Sequence, residues 1–186
     1  MSNTDKRIIE KAMRIAAVAH HEQKRKEIDA PYISHPVMVA FKLMKHGFSD
    51  AVIAAGLVHD VLEDTDFPED QLLAELGAEV LDIVLAVTND DSLSWEEKKL
   101  KYIETVRSGP EGAKAVSIAD KIHNAESLLS AYRVQGASIW KHFNRGKEKK
   151  MWFEHAMLDM FKLAWSHPMI AEYEQLIEQM DALEEV

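Results

Sequence analysis

The sequence predicts an all-α fold, and three observations support this prediction. Apolar residues recur at the three- and four-residue spacing of amphipathic helices along most of the 186 residues. No segment combines sustained alternation of apolar and polar residues with the turn residues of a hairpin. Residues that commonly begin or end helices stand at the edges of the periodic segments. We therefore expect a single domain, a bundle of about nine to ten helices.

Boundary residues support the predicted helices in chain order. The first helix has Ile8, Ala12 and Ile15 on one face and either Thr4 or Asp5 as its cap. The others are predicted over approximately residues 34–45, 50–64, 68–77, 79–88, 94–108, 113–132, 139–166 and 168–186.

Three of these helices have particularly clear end signals. Ser34 is predicted to cap the helix over 34–45, and Pro36 then falls in its first turn. Gly77 is predicted to end the helix over 68–77. Ser94 and Glu97 have the spacing of a capping box at the start of the helix over 94–108.

Composition excludes several classes of protein. The chain has no cysteine, so a disulfide scaffold and thiolate-bound zinc are excluded, and any metal would be held by histidine and carboxylate. The net charge of −10 argues against a general binder of nucleic acid or of anionic membranes. No apolar segment is long enough to cross a bilayer, and the N-terminus lacks the apolar core of a signal peptide. A cytoplasmic protein is expected.

The charge is distributed unevenly along the chain. Residues 46–97 contain no Lys or Arg but 14 acidic residues, whereas the remainder carries 22 basic and 18 acidic residues. A run of like charge is often only a solvated surface. The other interpretation is that some of these carboxylates are matched to a bound cation. The total charge therefore does not exclude a polyanionic substrate.

One side of the predicted helix over 50–64 carries His59, Asp60, Glu63 and Asp64 without a neighbouring base. Asp60 and Asp64 are four residues apart and repel each other on a helix. We expect a positive charge to compensate them. The His-Asp dipeptide alone is weak evidence, because chance alone produces it often.

A second group of polar residues lies on the predicted helix over 113–132. Ser117, Asp120, Asn124 and Ser127 form a narrow stripe of short side chains with apolar neighbours. A solvated stripe is the simpler interpretation. Its composition differs from that of a surface rich in Lys and Glu, so Asp120 is a candidate ligand from a second helix.

His35, near the start of the helix over 34–45, completes this candidate set. With His59, Asp60 and Asp120 it gives two imidazoles and two carboxylates from three helices. Such a mixed set suits Mn²⁺, Fe²⁺ or Zn²⁺ better than Ca²⁺. It also leaves positions for water and substrate.

These residues and their surroundings resemble the HD-superfamily hydrolases of the alarmone (p)ppGpp. The resemblance is closest to the small alarmone hydrolases and to the hydrolase domain of RelA/SpoT enzymes. It covers most of the chain, and its blocks occur in the family's order: AHHEQKRK, PYISHPVMVA, AGLVHDVLEDTDF, AVTNDD, GAKAVSIADKIHN and KEKKMWFEHAM.

The resemblance implies an Mn²⁺-dependent enzyme that removes the 3′-pyrophosphate of a guanine nucleotide, giving GDP or GTP and pyrophosphate. By position it assigns the metal ligands to His35, His59, Asp60 and Asp120. It places Glu63 and Asp64 beside the nucleophilic water, and substrate contacts at Arg25, Lys26, Asn124 and Ser127. Helix geometry favours Glu63 as the base, because it lies one turn beyond His59.

Two departures from the family pattern concern the substrate. Residues 27–30 form a segment one residue longer than usual and lack the usual glycine, and Ser117 stands where lysine is common. One alternative is therefore an enzyme with the same metal centre that acts on another nucleotide phosphoester, such as a 2′- or 3′-phosphate of a nucleotide cofactor. Another alternative, from a different class, is a non-catalytic helical nucleotide-binding module.

Two further segments have more than one interpretation. Residues 141–150, KHFNRGKEKK, have a local charge of +4 and form either a solvated helix junction or a phosphate-binding segment. The acidic, amphipathic C-terminal helix is a candidate for contact between copies of the chain in a homo-oligomer. The chain has no room for a synthetase domain, so hydrolysis is the only alarmone activity expected.

Overall fold

The computed structural model describes residues 5–25, 30–90 and 92–185, apart from the side chains of residues 5 and 6. This part of the chain is all-α, as predicted, and its only β-type pairing is an isolated antiparallel bridge between Lys24 and Pro31. The helices are α1 (Asp5–Ala19), α2 (Ser34–Lys45), α3 (Asp50–Val58), α4 (Val61–Asp64), α5 (Glu69–Leu76), α6 (Ala78–Val87), α7 (Trp95–Ser108), α8 (Glu111–Gln135), a 3-10 helix (Gly136–His142), α9 (Gly146–Ala164) and α10 (Met169–Asp181).

Helix α3 lies at the centre of the bundle. Every residue from 52 to 58 is buried, and the helix packs against α1, α2, α6 and α8. Gly56 allows α2 to approach closely, because a Cβ atom there would lie only 2.5 Å from Leu43 Cδ1. The close packing brings the end of α3 near the beginning of α2.

Helix α8 supplies the second long element of the core. Its 25 residues span about 37 Å, and it packs against α2, α3, α6 and α10. Val116, Ile118, Ala119 and Ile122 are fully buried around Asp120. Burial of these neighbours fixes the rotation of α8, so that Asp120 faces the ends of α2 and α3.

Two predicted helix boundaries are confirmed by the geometry. Ser94 and Glu97 form the predicted capping box at the start of α7. Helix α5 ends at Gly77, whose φ of 85° lies in the region that favours glycine.

The predicted helix over 50–64 is wrong as one continuous element. Helix α3 ends at Val58, and α4 begins at Val61. The ring of His59 provides a physical reason, because its Nδ1 lies 2.8 Å from the carbonyl oxygen of Gly56 and competes with the backbone for that acceptor. The interruption turns His59 and Asp60 toward the start of α2.

Two other predicted boundaries are also corrected. Ser34 does not cap α2; it is the first helical residue, and its hydroxyl donates to the Pro31 carbonyl oxygen at 2.8 Å. The predicted helix over 139–166 is divided into the 3-10 helix and α9, and Gly136 and Gly146, with φ of 60° and 70°, stand at the start of these two elements.

The apolar face of α10 is covered within the chain. Met169, Tyr173, Ile177 and Met180 are buried where α10 packs on α8 and α9. In the described part of the chain, no helix is both long and apolar enough to cross a membrane.

Candidate active site

The structure brings His35, His59 and Asp120 together from α2, the end of α3 and α8. One ligand atom from each lies within 4.8 Å of the others, and all three residues are buried. His35 Nε2 is 3.1 Å and His59 Nε2 is 3.7 Å from Asp120 Oδ1. Asp60 Oδ2 adjoins the same group, 3.1 Å from His59 Nε2 and 3.6 Å from His35 Nε2.

His59 has the hydrogen-bonding pattern of a metal ligand. Its Nδ1 faces the Gly56 carbonyl oxygen, which fixes a proton on Nδ1 and leaves Nε2 to bind either a second proton or a metal ion. Within the described residues, Nε2 is buried without a hydrogen-bond partner, although oxygens of Asp60 and Asp120 lie beside it. A buried nitrogen lone pair among carboxylate oxygens fits a divalent cation.

His35 is oriented in a similar way by a second ring. Its Nδ1 lies 2.7 Å from Nδ1 of His123, so one ring donates and the other accepts. When His35 is the donor, its Nε2 is free on the side of Asp120. Burial lowers the pKa of His35, and burial together with the charge of His35 lowers the pKa of His123 to about 4. Both rings are therefore neutral near pH 7, as metal ligation requires of His35.

The carboxylates of the cluster are ionised. Burial opposes ionisation of Asp120, but Lys121 and the imidazoles of His35 and His59 outweigh it and hold its pKa well below the usual range. Burial likewise opposes protonation of His59, but Asp60 and Asp120 raise its pKa well above the usual range. The two carboxylates thus favour a positive charge at this point, which either a proton or a divalent ion can supply.

Tyr32 holds Asp60 in place. Its hydroxyl donates to Asp60 Oδ2 at 2.5 Å, and its ring packs at 5.7 Å from that of His35. Burial and the nearby Asp60 charge raise the pKa of Tyr32, so the phenol remains protonated. Tyr32 lies in the block PYISHPVMVA but was not singled out from the sequence, because a lone tyrosine before a predicted helix carries no spacing signal.

Glu63 and Asp64 face the same cavity from α4. Both oxygens of Glu63 accept hydrogen bonds from Asn89, through its backbone N–H at 2.9 Å and its side-chain amide at 3.0 Å. Burial, with the charges of Asp60 and Glu63, raises the pKa of Asp64. The two acids therefore differ in their surroundings. Hydrogen bonds hold the Glu63 carboxylate in one orientation, whereas the surroundings of Asp64 make its carboxyl group harder to ionise.

The cavity in front of the cluster has a volume of about 250 Å³. Arg25 and Asn124 line it and are joined by a hydrogen bond of 3.0 Å, and Asn124 also donates to Asp120 at 2.5 Å. Ser127 lies half-buried on α8 and is not among the residues that line the cavity. Lys26 lies outside the described residues.

Lys99 and Lys121 form a basic wall of this cavity. Their Nζ atoms lie 4.7 Å and 5.3 Å from the centre of the Phe153 ring. Lys121 also contacts Asp120 Oδ2 at 2.9 Å. Ser117, which departs from the family pattern, is fully buried. It is hydrogen-bonded at 2.9 Å to the hydroxyl of Tyr102, which also lines the cavity.

A second cavity of about 350 Å³ adjoins this wall. It shares Lys99, Lys121 and Phe153 with the first cavity. Its other lining residues are Trp95, Phe143, Arg145, Gly146 and Lys150. Among these described lining residues no acidic side chain occurs, so the second cavity is suited to an anion. The basic segment over 141–150 supplies part of it.

A family model described as HD domain matches residues 12–147. The chain belongs to the HD-domain family. The matched residues include His35, His59, Asp60 and Asp120, together called the His–Asp cluster, and also Glu63, Asp64, Lys99 and Lys121. In this HD domain, the cluster and its carboxylates constitute the expected site of a divalent metal ion.

Three curated relatives of this HD domain share the name of one enzyme activity. The chain is 38% identical over 136 residues to the mouse and human proteins named guanosine-3′,5′-bis(diphosphate) 3′-pyrophosphohydrolase MESH1, covering 67% of this chain and 75% of each relative. It is 32% identical over 130 residues to a Borreliella burgdorferi protein named guanosine-3′,5′-bis(diphosphate) 3′-pyrophosphohydrolase, covering 67% of this chain and 19% of that relative.

Solved structures confirm the fold of the HD domain. The crystal structure of lmo0812 from Listeria monocytogenes EGD-e matches with a TM-score of 0.74 and 35% identity, over 78% of this chain and 97% of that one. A metazoan orthologue of SpoT, described as hydrolysing ppGpp, matches with a TM-score of 0.79 over 95% of this chain and 97% of that one. At 23% identity this second match supports the fold alone.

Several residues that shape the site of this HD domain were not predicted from the sequence. Asn89, Lys99 and Lys121 line the cavity, as do Tyr102 and Phe153. Asn89 had a signal, since it lies in the quoted block AVTNDD. Lys99 had none, because it stands in the lysine-rich stretch EEKKLK, where the sequence does not show which lysine turns inward.

Proposed function

We propose that this HD domain hydrolyses guanosine 3′,5′-bis(diphosphate), removing the 3′-pyrophosphate to give GDP, or GTP from the pentaphosphate, and pyrophosphate. The observation that carries the proposal is the placement of His35, His59, Asp60 and Asp120 in one cavity with two further carboxylates and a basic wall. The names of the curated relatives support the choice of substrate.

The metal is proposed to be Mn²⁺, held by His35, His59, Asp60 and Asp120. Two nitrogen and two oxygen donors suit Mn²⁺, and the buried lone pair of His59 supports metal binding at this point. When bound, a divalent cation lowers the pKa of a water molecule and polarises a phosphoryl oxygen.

Glu63 is proposed to orient the attacking water and to accept its proton. Its carboxylate faces the cavity, and Asn89 restricts its rotation through contacts to both oxygens. A fixed carboxylate within reach of the water is the arrangement that general-base catalysis requires. Asp64, whose pKa is raised by burial and by its acidic neighbours, is proposed to assist by holding the water network.

Arg25 and Asn124 are proposed to contact the nucleotide. Arg25 presents a planar guanidinium at the cavity beside Asn124, and such a group can stack on a base or bind phosphate. Lys26 and Ser127 remain proposed substrate contacts on the strength of the family resemblance.

The second cavity offers a place for the other phosphate groups of the substrate. Arg145 and Lys150 line it together with Lys99 and Lys121, so four cations surround a space next to the reacting phosphate. A guanine nucleotide with diphosphates at two positions matches two adjoining anion-binding cavities. A mononucleotide with a single phosphate would leave the second cavity empty.

We also propose that the chain works as one domain in the cytoplasm, where phosphorylated guanine nucleotides occur. Helix α10, beyond the residues matched by the family model, packs on α8, which supports a single folded unit. The acidic net charge of −10 supports a small-molecule substrate rather than nucleic acid.

The test is a substrate panel assayed with purified protein and Mn²⁺. Guanosine 3′,5′-bis(diphosphate), the pentaphosphate, and nucleotide cofactors with a 2′- or 3′-phosphate are compared by product analysis. We expect GDP or GTP with pyrophosphate from the first two, and a loss of turnover by about a thousandfold in Glu63→Gln. Phosphate release from a cofactor, without turnover of either guanosine compound, would contradict the proposal.

A further inference from the structure

Lys99 differs from the other cations at the cavity. Its side chain reaches from α7 to both cavities, with Nζ over the Phe153 ring at 4.7 Å. Within the described residues, Lys99 has no carboxylate within 4.0 Å, whereas the ammonium of Lys121 is bound to Asp120 at 2.9 Å. The protons of Lys99 are therefore available to a ligand.

The leaving group in the proposed reaction is the ribose 3′-oxygen, which must gain a proton as its bond to phosphorus breaks. Several other O–H and N–H groups of the described cavity wall are engaged in hydrogen bonds. Tyr32 donates to Asp60, and Tyr102 is hydrogen-bonded to buried Ser117. Arg25 is bonded to Asn124, and a guanidinium does not release a proton. Among the cationic side chains described at the cavity wall, Lys99 is the one that has no carboxylate within 4.0 Å and can release a proton.

We propose that Lys99 is the general acid of this HD domain and protonates the 3′-oxygen of the departing nucleoside. The proposal rests on the hydrolase function proposed above. The oxygen of water forms a bond to the phosphorus attached to O3′, and Glu63 takes the proton of that water. The P–O3′ bond breaks, its electron pair goes to O3′, and Lys99 Nζ gives O3′ a proton. GDP and pyrophosphate leave, and solvent restores both side chains.

The position of Lys99 suits this step. Glu63 comes from α4 and Lys99 from α7, so the base and the acid face one cavity from different helices. A phosphoryl group in a space of about 250 Å³ can be approached by both. Glu63 can then take a proton from the entering water, and Lys99 can give one to the leaving oxygen.

The charges around Lys99 favour release of its proton. Burial lowers the pKa of Lys99 to about 8, and Lys121, Lys150 and Lys98 add to the shift. Glu63 acts in the opposite direction. Arg145 lines the adjoining cavity, and the neighbouring Trp95, Phe143 and Phe153 are uncharged. A pKa near the working pH is the value that makes a general acid effective.

Lys99→Arg is the decisive variant, because it keeps the positive charge but does not lose its proton. We expect KM within about threefold of wild type, kcat lower by about a hundredfold or more, and loss of the fall in kcat that wild type shows above about pH 8. Lys98→Arg, on the same helix, is the matched control. Metal content and thermal unfolding are measured for each variant.

A substrate with sulfur in place of O3′ separates proton donation from charge. A thiolate leaves without protonation, so we expect the defect of Lys99→Arg to shrink to about threefold on this analogue. A Lys99→Arg enzyme with wild-type kcat and pH profile on the natural substrate, or with an equal defect on both substrates, would overturn the general-acid role. Absence of wild-type turnover of the guanosine compounds would instead overturn the proposed function, and this proposal with it.

Discussion

Asn89 fixes the carboxylate of Glu63 by contacts to both of its oxygens, from the backbone N–H at 2.9 Å and from the side-chain amide at 3.0 Å. The two residues are 26 positions apart, on the segment after α6 and on α4. The arrangement restrains Glu63 from swinging out of the cavity. It makes Asn89 a positioning residue for the proposed base.

Asn89→Ala is expected to lower kcat by about ten- to a hundredfold, because Glu63 loses its restraint but remains present. Metal affinity should change little, since neither residue belongs to the His–Asp cluster. Steady-state kinetics and metal titration measure the two effects separately. Unchanged kcat in Asn89→Ala would show that Glu63 needs no such restraint.

Metal binding and proton transfer are separable by a pair of variants. Asp120→Ala removes a carboxylate from the cluster, so we expect loss of stoichiometric Mn²⁺ together with loss of activity. Glu63→Gln leaves the cluster intact and is nearly isosteric, so we expect it to retain the metal and lose activity. Elemental analysis of both purified variants is the measurement, and metal retention by Asp120→Ala would contradict the assignment of the cluster.

Tyr32→Phe removes the hydroxyl that holds Asp60 but keeps the ring beside His35. We expect Mn²⁺ affinity to fall by about tenfold or more, because an orienting hydrogen bond to a ligand is lost. Saturating metal should restore most of the activity. Calorimetric titration of the metal-free protein gives the affinity, and wild-type affinity in Tyr32→Phe would rule out the orienting role.

His123 should make the metal-free protein sensitive to acid. Its pKa is lowered to about 4 by burial and by the charge of His35, below the usual value near 6.5. The unfolded chain therefore takes up a proton first as the pH falls, so the contribution of neutral His123 to stability is complete above pH 6.5 and is lost between about pH 6.5 and 4.

His123→Asn tests this effect, because an amide can still hydrogen-bond with His35 but does not titrate. We expect the metal-free variant to lose less stability than wild type between about pH 6.5 and 4, as measured by urea unfolding at several pH values. Parallel losses in the two proteins over this range would show that other groups cause the acid sensitivity.

Sequence periodicity predicted the all-α fold and most helix positions, because most of the helices bury one apolar face. It also selected His35, His59, Asp60 and Asp120, four residues that the structure brings together. It did not predict the break at His59, where a ring nitrogen competes for the Gly56 carbonyl oxygen. A contact between a side chain and a carbonyl oxygen leaves no trace in the spacing of apolar residues.

The sequence also did not show that Lys99 and Lys121 meet at one cavity. Lys99 and Lys121 come from different helices. Lys99 stands among polar residues that suggest an exposed surface, whereas Lys121 lies in the block GAKAVSIADKIHN directly after Asp120. Only the packing of α7 and α9 on the core turns Lys99 toward Phe153. The charge pattern did show that bases are missing near the cluster, but not which bases approach it in space.

The proposed reaction adds water to the 3′-diphosphate of guanosine 3′,5′-bis(diphosphate) in the cavity of the His–Asp cluster. Turnover in water enriched with oxygen-18, with Mn²⁺ and phosphorus NMR of the products, tests it most directly. We expect GDP and pyrophosphate, with the heavy oxygen in the pyrophosphate alone. Unchanged substrate, release of single phosphates, or heavy oxygen in the nucleoside hydroxyl would rule out this reaction.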